Sequence, residues 1–439
     1  SDKGGNEGGA VTIHGGFVSA RSTIFNHNHN AGTVGNDAYS IGSAYGAAIG
    51  GGGNVDGGDG GTITISGGVV EAINTVDHED EDNTARVGTA YGAAIGGGGT
   101  KTGNGGNGGT ATVYGGAVEA TVTVIDVSQS DPDTSQGGGA YGAAIGGGGS
   151  ETGTGGDGGT ITISGGTVEV QSVSGAGIGG GNSGLGPSDS IPKKGTGGSG
   201  GNITISGGSV TATTMTGRTI GLLAERNQGR WAGAAIGGSF GGSSGTITIS
   251  GGTVTAIVSS QTAPHADPDA DPIYSAGIGS SSSSSGRGTI TISGGTVFAQ
   301  SPDGAGIGCG ENSDGSAIVI AISGGTVEAV STNGAGIGGG MIEALSAMVN
   351  FETIYSGGEI TISGGSVSAQ STNGAGIGSG AVIYDVEEVS ERNTPEVNGG
   401  TITVSGGTVS AQSVRGAGIG GGSGQVTVGS NVKVASGHT

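Results

Sequence analysis

The chain of 439 residues has little of what ordinary globular domains are built from. It has a single cysteine, Cys309, so no intrachain disulfide can form, and only 3% of its residues are aromatic. Charged residues make up 11% of the chain, against about a quarter in typical soluble domains. No apolar run reaches the roughly 18 residues that a predicted membrane-spanning helix needs. These shortages argue against an ordinary layered domain and against a membrane span.

Positive charge is scarce as well. The sequence has 13 basic and 35 acidic residues, for a formal net charge of -22. Nucleic acid is not an expected partner, because binding phosphates requires clustered Lys and Arg side chains. Divalent cations or neutral, hydroxyl-rich surfaces fit this charge balance better.

Glycine is abundant, at 111 residues, but it is arranged in a repeat. The alternating phrase in residues 245–256, GTITISGGTVTA, recurs eleven times in varied form, and Ala-Gly-Ile-Gly or a variant follows most copies after a spacer. Disordered glycine-rich tracts lack such strict alternation of apolar and polar residues. The spacing between copies runs from 24 residues, between Val404 and Val428, to 52, between Ile13 and Ile65. A constant core with variable insertions indicates a solenoid.

The shortest repeat, residues 401–424, predicts three short strands. Val404, Val409 and Ile419 are the inward residues of the three sides, and Gly406-Gly407 supplies the positive φ of a sharp corner. A propeller has repeats of similar length, but a blade needs four antiparallel strands and the last repeat has room for only three.

We therefore predict an all-β chain in which residues 1–439 form a single right-handed parallel β-helix with three sides and about ten coils. The handedness is inferred from that of parallel crossover connections. The coils are expected to begin near residues 10, 62, 110, 160, 202, 246, 289, 318, 359 and 401, with a partial coil from 425.

Two phrases carry a family resemblance: GGTITISGGTV, as in residues 158–168, and GAGIGGG, as in residues 175–181. They resemble the repeats of secreted bacterial glycine-rich right-handed parallel β-helix proteins, and the resemblance covers nearly the whole chain at the level of the repeat. It implies an extracellular or bacterial cell-surface location. Such proteins bind polysaccharide, act as adhesins, or are glycoside hydrolases and polysaccharide lyases. No catalytic signature from them matches this sequence residue by residue.

The insertions fall at two corners and predict two ridges of long loops along the helix. Loops carry function more often than the elements that they connect. After the second strand, coils one to three, five and six have long insertions, whereas coils seven to ten are nearly bare. A column of residues at this corner lies four positions before the isoleucine of each Ala-Gly-Ile or Ala-Ala-Ile phrase. Its members are Tyr45, Tyr91, Tyr141, Ser174, Ala232, Tyr274, Asp303, Asn333, Asn373 and Arg415. Its tyrosines can stack on sugar rings or cover the corner against water.

Another column is expected at the corner that precedes the first strand of each coil. It contains Asp59, Asn107, Asp157 and Asn398, whose short side chains are expected to hydrogen-bond local backbone.

Asp303 is the carboxylate of greatest chemical interest. It is expected at the foot of the loop that carries Asp267, Asp269 and Asp271. Glycoside hydrolysis uses two carboxyl groups, about 5–5.5 Å apart for retention of configuration and about 6.5–9.5 Å apart for inversion. Asp303 with Asp269 or Asp271 is thus the candidate catalytic set. In the alternative interpretation, Asp267, Asp269 and Asp271 form a solvated acidic turn or a weak calcium site.

Two hypotheses about function follow. In the first, the protein is a non-enzymatic extracellular scaffold or adhesin that binds glycans or neighbouring chains through its loop ridges, with end-to-end self-association or an upstream capping domain as further partners. In the second, it is a glycoside hydrolase or polysaccharide lyase with its site on coils five to eight. No cofactor is required, although calcium is a candidate ligand. The candidate ligand-binding residues are Trp231, Tyr274, His265, Asn333, Asn373, Arg415, Tyr45, Tyr91 and Tyr141.

Overall fold

Three parallel sheets of ten strands each make up the fold in the computed structural model of the chain. The structure describes residues 5–27, 43–79, 89–126, 139–184, 195–216, 232–260, 274–282, 288–313, 318–344, 354–384 and 396–422, and these contain strands and turns but no helix. Every strand pairs in parallel with the equivalent strand one coil away. The prediction of an all-β, three-sided right-handed parallel β-helix is confirmed.

Sheet 1 is built from the Thr-Ile-Thr-Ile phrases. Its strands are Ala10–Ile13, Thr62–Ile65, Thr110–Val113, Thr160–Ile163, Asn202–Ile205, Thr246–Ile249, Gly288–Ile292, Ile318–Ile322, Glu359–Ile362 and Thr401–Val404. The second and fourth residues of a strand such as Thr160–Ile163 are buried, and the first and third face outward. This is the alternation that a half-buried strand requires.

Sheet 2 follows after a Gly-Gly corner. Its strands are Phe17–His27, Val69–Glu79, Ala117–Asp126, Thr167–Ser172, Ser209–Thr216, Thr253–Ser260, Thr296–Ser301, Thr326–Ser331, Ser366–Ser371 and Thr408–Ser413. At the corner between sheets 1 and 2, Gly166 has a φ of 83°, a left-handed conformation that glycine adopts without steric cost. The Gly-Gly pair therefore allows the chain to turn sharply after only four strand residues.

Sheet 3 has the shortest strands, each an Ile-Gly pair. They are Ile49–Gly50, Ile95–Gly96, Ile145–Gly146, Ile178–Gly179, Ile236–Gly237, Ile278–Gly279, Ile307–Gly308, Ile337–Gly338, Ile377–Gly378 and Ile419–Gly420. Gly179 has a φ of 138°, and a Cβ at this position would lie 1.9 Å from the carbonyl oxygen of Gly237 in the next coil. In the first nine coils sheet 3 is therefore restricted to glycine after the isoleucine, because a side chain there would enter the backbone of the next coil.

The core consists of ladders of identical or similar side chains along the helix. Ile161 pairs in register with Ile203, and Val168 pairs with Val210. All four side chains are at most 1% exposed and belong to one continuous cluster, which runs from Ile13 to Ile377. Burial of this aliphatic interior is the main stabilising contribution in a chain that has no disulfide. Cys309 lies in the same cluster.

Two further short parallel pairs lie between sheet 3 and sheet 1 in the coils that begin at Ile318 and Glu359. They join Ile342–Ala344 to Val382–Tyr384 and Ile354–Ser356 to Glu396–Asn398. Tyr355 and Val397 form a small separate core there.

A buried column of hydroxyl groups ties the end of sheet 2 to the following corner. Ser172 Oγ donates to the carbonyl oxygen of Gly142 at 3.0 Å, and Ser371 Oγ donates to that of Gly334 at 2.7 Å. Equivalent bonds to the preceding coil are made by Ser301, Ser331 and Ser413. These side chains satisfy backbone carbonyls that would otherwise be buried without a partner.

Candidate functional site

The predicted column that runs from Tyr45 to Arg415, at the corner after sheet 2, exists as a column of neighbouring residues. The backbone N–H of Tyr141 donates to the carbonyl oxygen of Ala90, one residue before Tyr91, and the N–H of Asn373 donates to that of Thr332, one residue before Asn333. Successive members of the column are therefore held side by side by bonds between coils.

The aromatic end of the column is a stack of three tyrosines. The rings of Tyr45 and Tyr91 have centroids 5.1 Å apart and are nearly parallel, and those of Tyr91 and Tyr141 are 5.7 Å apart. Tyr91 is only 2% exposed, whereas Tyr45 and Tyr141 are half-buried. Burial of the middle ring favours the covering role over sugar stacking for Tyr91, because its faces lie against the two neighbouring rings.

Glu151 anchors this stack at its polar edge. The Tyr91 hydroxyl donates to Glu151 Oε2 at 2.6 Å, and Lys101 Nζ lies 3.9 Å from the same oxygen. Burial and the nearby Glu151 carboxylate raise the pKa of Tyr91 far above its ordinary value of 10.0. The same two causes raise the pKa of Tyr141 to about 12. Both tyrosines therefore stay neutral at physiological pH.

The polar end of the column is a ladder of side-chain hydrogen bonds. Asn333 Nδ2 donates to Asp303 Oδ1 at 2.6 Å, and Asn373 Nδ2 donates to Asn333 Oδ1 at 2.5 Å. Asp303 is 5% exposed, and Arg415, the next member of the column, is exposed. The carboxylate that sequence reasoning selected as catalytic thus receives an amide hydrogen bond inside a structural ladder.

Five of the predicted site residues lie outside the described residues, namely Trp231, His265, Asp267, Asp269 and Asp271. Most of the long insertions that were expected to form a ridge lie outside them as well. The proposed pairing of Asp303 with Asp269 or Asp271, and the calcium site, therefore remain predictions. Within the described ranges, no cluster of three or more His, Cys, Asp or Glu side chains could hold a metal ion.

Tyr274 is described, and it is buried. Its side chain is 1% exposed, and its carbonyl oxygen accepts a 2.6 Å hydrogen bond from the N–H of Glu311. A ligand could reach this ring only if the corner opened, so the ligand-binding role predicted for Tyr274 receives no support from its placement.

Two columns of Asp and Asn residues line the corner before sheet 1. Asn107 N–H donates to Asp59 Oδ1 at 2.7 Å, and Asp157 N–H donates to Asn107 Oδ1 at 3.0 Å. A parallel column joins Asp56 to Asn104 in the same manner. Asn398 instead accepts a bond from the N–H of Gly400 in its own coil. The predicted column of Asp and Asn residues before sheet 1 is therefore present, but most of its side chains bond to the backbone of the next coil rather than to local backbone.

The outer face of sheet 1 carries a surface that the sequence reasoning did not single out. The outward residues of the strands, and the residue after each strand, form three columns of hydroxyl side chains, which we call the hydroxyl strip. In the second to seventh coils it consists of Thr62, Thr64, Ser66, Thr110, Thr112, Thr160, Thr162, Ser164, Thr204, Ser206, Thr246, Thr248, Ser250, Thr289, Thr291 and Ser293, all of them exposed or half-buried. The signal was in the sequence, because each Thr-Ile-Thr-Ile-Ser phrase directs its hydroxyl residues to one face.

The register of sheet 1 makes this strip regular. Thr162 pairs with Thr204, and Thr204 pairs with Thr248. Neighbouring strands lie about 4.8 Å apart, and alternate residues along a strand lie about 6.6 Å apart. The two other residues in these columns, Tyr114 and Asn202, are also uncharged. The strip is therefore a periodic, uncharged array that consists mainly of hydroxyl and methyl groups.

Comparison with known protein families gave a match to a repeat profile. A profile described as "Beta helix repeat" matches residues 161–182, 247–282, 290–311, 320–341, 360–381 and 397–423, about a third of the chain. Most of these segments run from a sheet 1 strand to just beyond the sheet 3 strand of the same coil, so the similarity is to single coils. Comparison with curated proteins and with solved structures gave no match. Among the described residues, no helix is long and apolar enough to cross a membrane.

Proposed function

We propose that this parallel β-helix repeat protein is an extracellular adhesive scaffold that binds neutral glycan chains along the hydroxyl strip. The observation that supports the proposal is the strip itself, a straight array of Thr and Ser side chains that extends over six consecutive coils without a charge. A long, repetitive ligand is the natural partner for a long, repetitive surface.

The chemistry of the strip suits polyhydroxyl ligands. Each hydroxyl can donate one hydrogen bond and accept two, so it can pair with a sugar hydroxyl in either direction. The strip contains no ion that would lose hydration when a neutral ligand covers it. Individual contacts of this kind are weak, with a net value of about 1 kcal/mol each, and binding strength would come from their repetition along the helix.

The charge of the chain favours neutral over anionic glycans. A formal net charge of -22 repels sulfated or uronic acid polymers at long range, most strongly at low ionic strength. Neutral polysaccharides experience no such repulsion.

An extracellular or bacterial cell-surface location, and contacts with neighbouring chains, belong to the same proposal. End-to-end association is the second mode of adhesion that we propose, because a strand at the edge of one sheet can pair with a strand of another chain.

Glycan hydrolysis is the alternative outcome. It would require Asp303 together with a second carboxylate, and the hydrogen bond from Asn333 already engages Asp303 Oδ1. The Asp303→Asn variant keeps an acceptor oxygen at this position and removes the acid. If the native protein releases sugar from a glycan that it binds and Asp303→Asn does not, the hydrolase hypothesis replaces the scaffold.

The scaffold proposal is tested by measuring binding to a panel of insoluble and soluble neutral polysaccharides, with release of reducing sugar followed in parallel. In the test variant Thr162, Thr204 and Thr248 are replaced by Val, which keeps the branched shape and removes the hydroxyl. The matched control replaces Thr211 and Thr255 of sheet 2 by Val. Both are half-buried, outward residues in the same coils as Thr204 and Thr248.

We expect the native protein to bind without turnover, the test variant to bind at least tenfold more weakly, and the control to bind as the native protein does. The proposal is wrong if the native protein binds no neutral glycan, or if the test variant and the control bind equally well.

A further inference from the structure

We infer that the Gly-Gly corner of the first three coils is a stacking site where sugar rings of the bound glycan rest on exposed aromatic side chains. The inference depends on the proposed glycan binding and assigns it a specific anchor. We call this surface the aromatic corner, and it consists of His14, Phe17, Ser66, Val69 and Tyr114.

The other seven coils provide the internal comparison that makes this corner distinctive. In each of them, the residue before the Gly-Gly pair is Ser, and the residue after it is Ser or Thr, as in Ser164 and Thr167. In the first three coils these positions hold His14 and Phe17, then Ser66 and Val69, then Tyr114 and Ala117. The first three coils thus depart from the Ser and Thr pattern of the other seven, because each has at least one aromatic or aliphatic residue at this corner.

The departure places large apolar side chains in solvent. Phe17 is 70% exposed, Tyr114 is 60% exposed, and Val69 is 46% exposed. In most other parts of the described chain the large apolar side chains are buried in the core. An aromatic residue that is not needed for packing and is grouped with others at the surface marks an interaction site.

Backbone pairing brings these side chains together. Phe17 pairs in register with Val69, and Val69 pairs with Ala117, so they form a row across the three coils. The N–H of Tyr114 donates to the carbonyl oxygen of Ile65 at 2.8 Å, which fixes Tyr114 beside Ser66. Ser66 Oγ in turn lies 2.9 Å from His14 Nδ1. The corner glycines carry no side chain that could cover the rings.

The spacing and chemistry match a glycan that continues from the hydroxyl strip. Phe17 and Tyr114 belong to coils two steps apart, a distance of about 9.6 Å along the helix at about 4.8 Å per coil. Aromatic faces offer an apolar platform to the C–H face of a pyranose, and the Tyr hydroxyl adds a polar edge. Ser66 and the adjacent strip residue Thr112 can receive the sugar hydroxyls. A chain bound to the strip would therefore meet both rings along its path.

The size of the aromatic corner fits a sugar better than a protein. Aromatic side chains bury about 150–250 Å² each when fully covered. Three partly exposed apolar side chains amount to less than the roughly 800 Å² per partner that a standard protein interface buries. A stacked oligosaccharide needs only the area of the rings.

The test uses residues that the chain itself places at these positions in other coils. The variant Phe17→Thr with Tyr114→Ser introduces the residues that coil four has at the corresponding positions, Thr167 and Ser164. Its fold should therefore be retained, and far-UV circular dichroism checks this. Tyr114→Phe keeps the ring and is the conservative variant. The control is Val414→Ser, which removes a side chain that is 78% exposed at a different corner. Affinity for soluble neutral oligosaccharides bound by the native protein is measured by titration calorimetry.

We expect the double variant to lose at least tenfold in affinity, while Tyr114→Phe and Val414→Ser stay within about twofold of the native protein. If the Thr→Val strip variant loses binding and the double variant does not, the stacking site is wrong and glycan binding stands. If the native protein binds no neutral glycan, the proposed function fails first. If the double variant changes the mass measured by light scattering and leaves glycan affinity unchanged, the aromatic corner is an interface between copies, which also overturns the inference.

Discussion

Replacing a glycine of sheet 3 should cost far more stability than its small size suggests. In Gly179→Ala, the new Cβ would lie 1.9 Å from the Gly237 carbonyl oxygen, and the backbone φ of 138° is one that residues with side chains rarely adopt. The same carbonyl accepts a 3.1 Å hydrogen bond from the N–H of Gly180. The substitution must therefore both strain its own backbone and displace a bonded carbonyl of the next coil.

The loss of unfolding free energy in Gly179→Ala can be divided between backbone strain and the displaced carbonyl. A residue held in a sparsely populated region of φ and ψ costs about 1–3 kcal/mol, and forcing an additional methyl group into a packed interior costs about 1–3 kcal/mol. The free energy of unfolding should therefore fall by about 2–6 kcal/mol. Since a β-helix coil contacts only its neighbours, the loss should be concentrated at the fourth and fifth coils.

Gly420→Ala separates the two causes. Gly420 occupies the same position in the last coil with a φ of 131°, and within the described residues the atom nearest to an added Cβ would be Ala417 Cβ at 3.5 Å, an ordinary contact. We expect a loss of about 1–3 kcal/mol from the backbone alone. Gly15→Ala is the baseline, because Gly15 has neither a positive φ nor any described atom within 4 Å of the added methyl group.

The assay is urea denaturation followed by far-UV circular dichroism, with hydrogen exchange to locate the destabilised coils. The expected order of stability is Gly15→Ala, then Gly420→Ala, then Gly179→Ala. Equal midpoints for Gly179→Ala and Gly15→Ala would show that sheet 3 does not depend on the absence of a side chain.

Three further predictions concern the ladders. Stability should decline as pH rises above 10, because tyrosines lose their protons near 10.0 in the unfolded chain, whereas the raised pKa values keep folded Tyr141 protonated until about 12 and folded Tyr91 beyond that. Denaturation midpoints at several pH values measure this decline, and the same dependence on pH in Tyr141→Phe would contradict the prediction. Asp303→Ala should lower the free energy of unfolding by about 1–3 kcal/mol, because the Asn333 amide loses its acceptor, whereas Asp303→Asn should cost less. Equal losses in the two variants, measured by thermal denaturation, would count against a stabilising role for the hydrogen bond between Asn333 and Asp303. Ser172→Ala should cost about 1–2 kcal/mol by removing the bond to a buried carbonyl, and an unaltered urea midpoint would argue that this hydroxyl column adds nothing.

The fold could be predicted from the sequence because its determinants are local and repeated. Alternation in Thr160–Ile163 assigns an inner and an outer face within four residues, and the Gly-Gly pair marks the turn. Ten repetitions of this pattern leave parallel stacking as the arrangement that buries the isoleucines of sheets 1 and 3 in the first nine coils. The position of each member of the corner column could be obtained in the same way, by counting back from Ile in sheet 3.

The candidate site could be predicted only in part, because a corner residue's side chain can turn inward or outward with the same sequence spacing. Tyr91 and Tyr274 are nearly fully covered, while Tyr45 in an equivalent position is half-buried. The amide hydrogen bond to Asp303 could not be predicted either, since it joins residues 30 positions apart whose side chains meet only across a coil boundary. The aromatic corner is hard to recognise in the sequence because single residues such as Phe17 stand out only after the ten coils are aligned.

The equivalence of the coil interfaces has a consequence for how such a protein can change length. Each coil meets the next through the same pairings, so that Ile290 stacks on Ile320 just as Ile247 stacks on Ile290. Joining Thr289 directly to Ile320 would delete one coil and bring together surfaces that already fit. Recombination between repeats can therefore lengthen or shorten the helix one coil at a time, which alters the reach of the protein while each surviving loop keeps its place on its own coil.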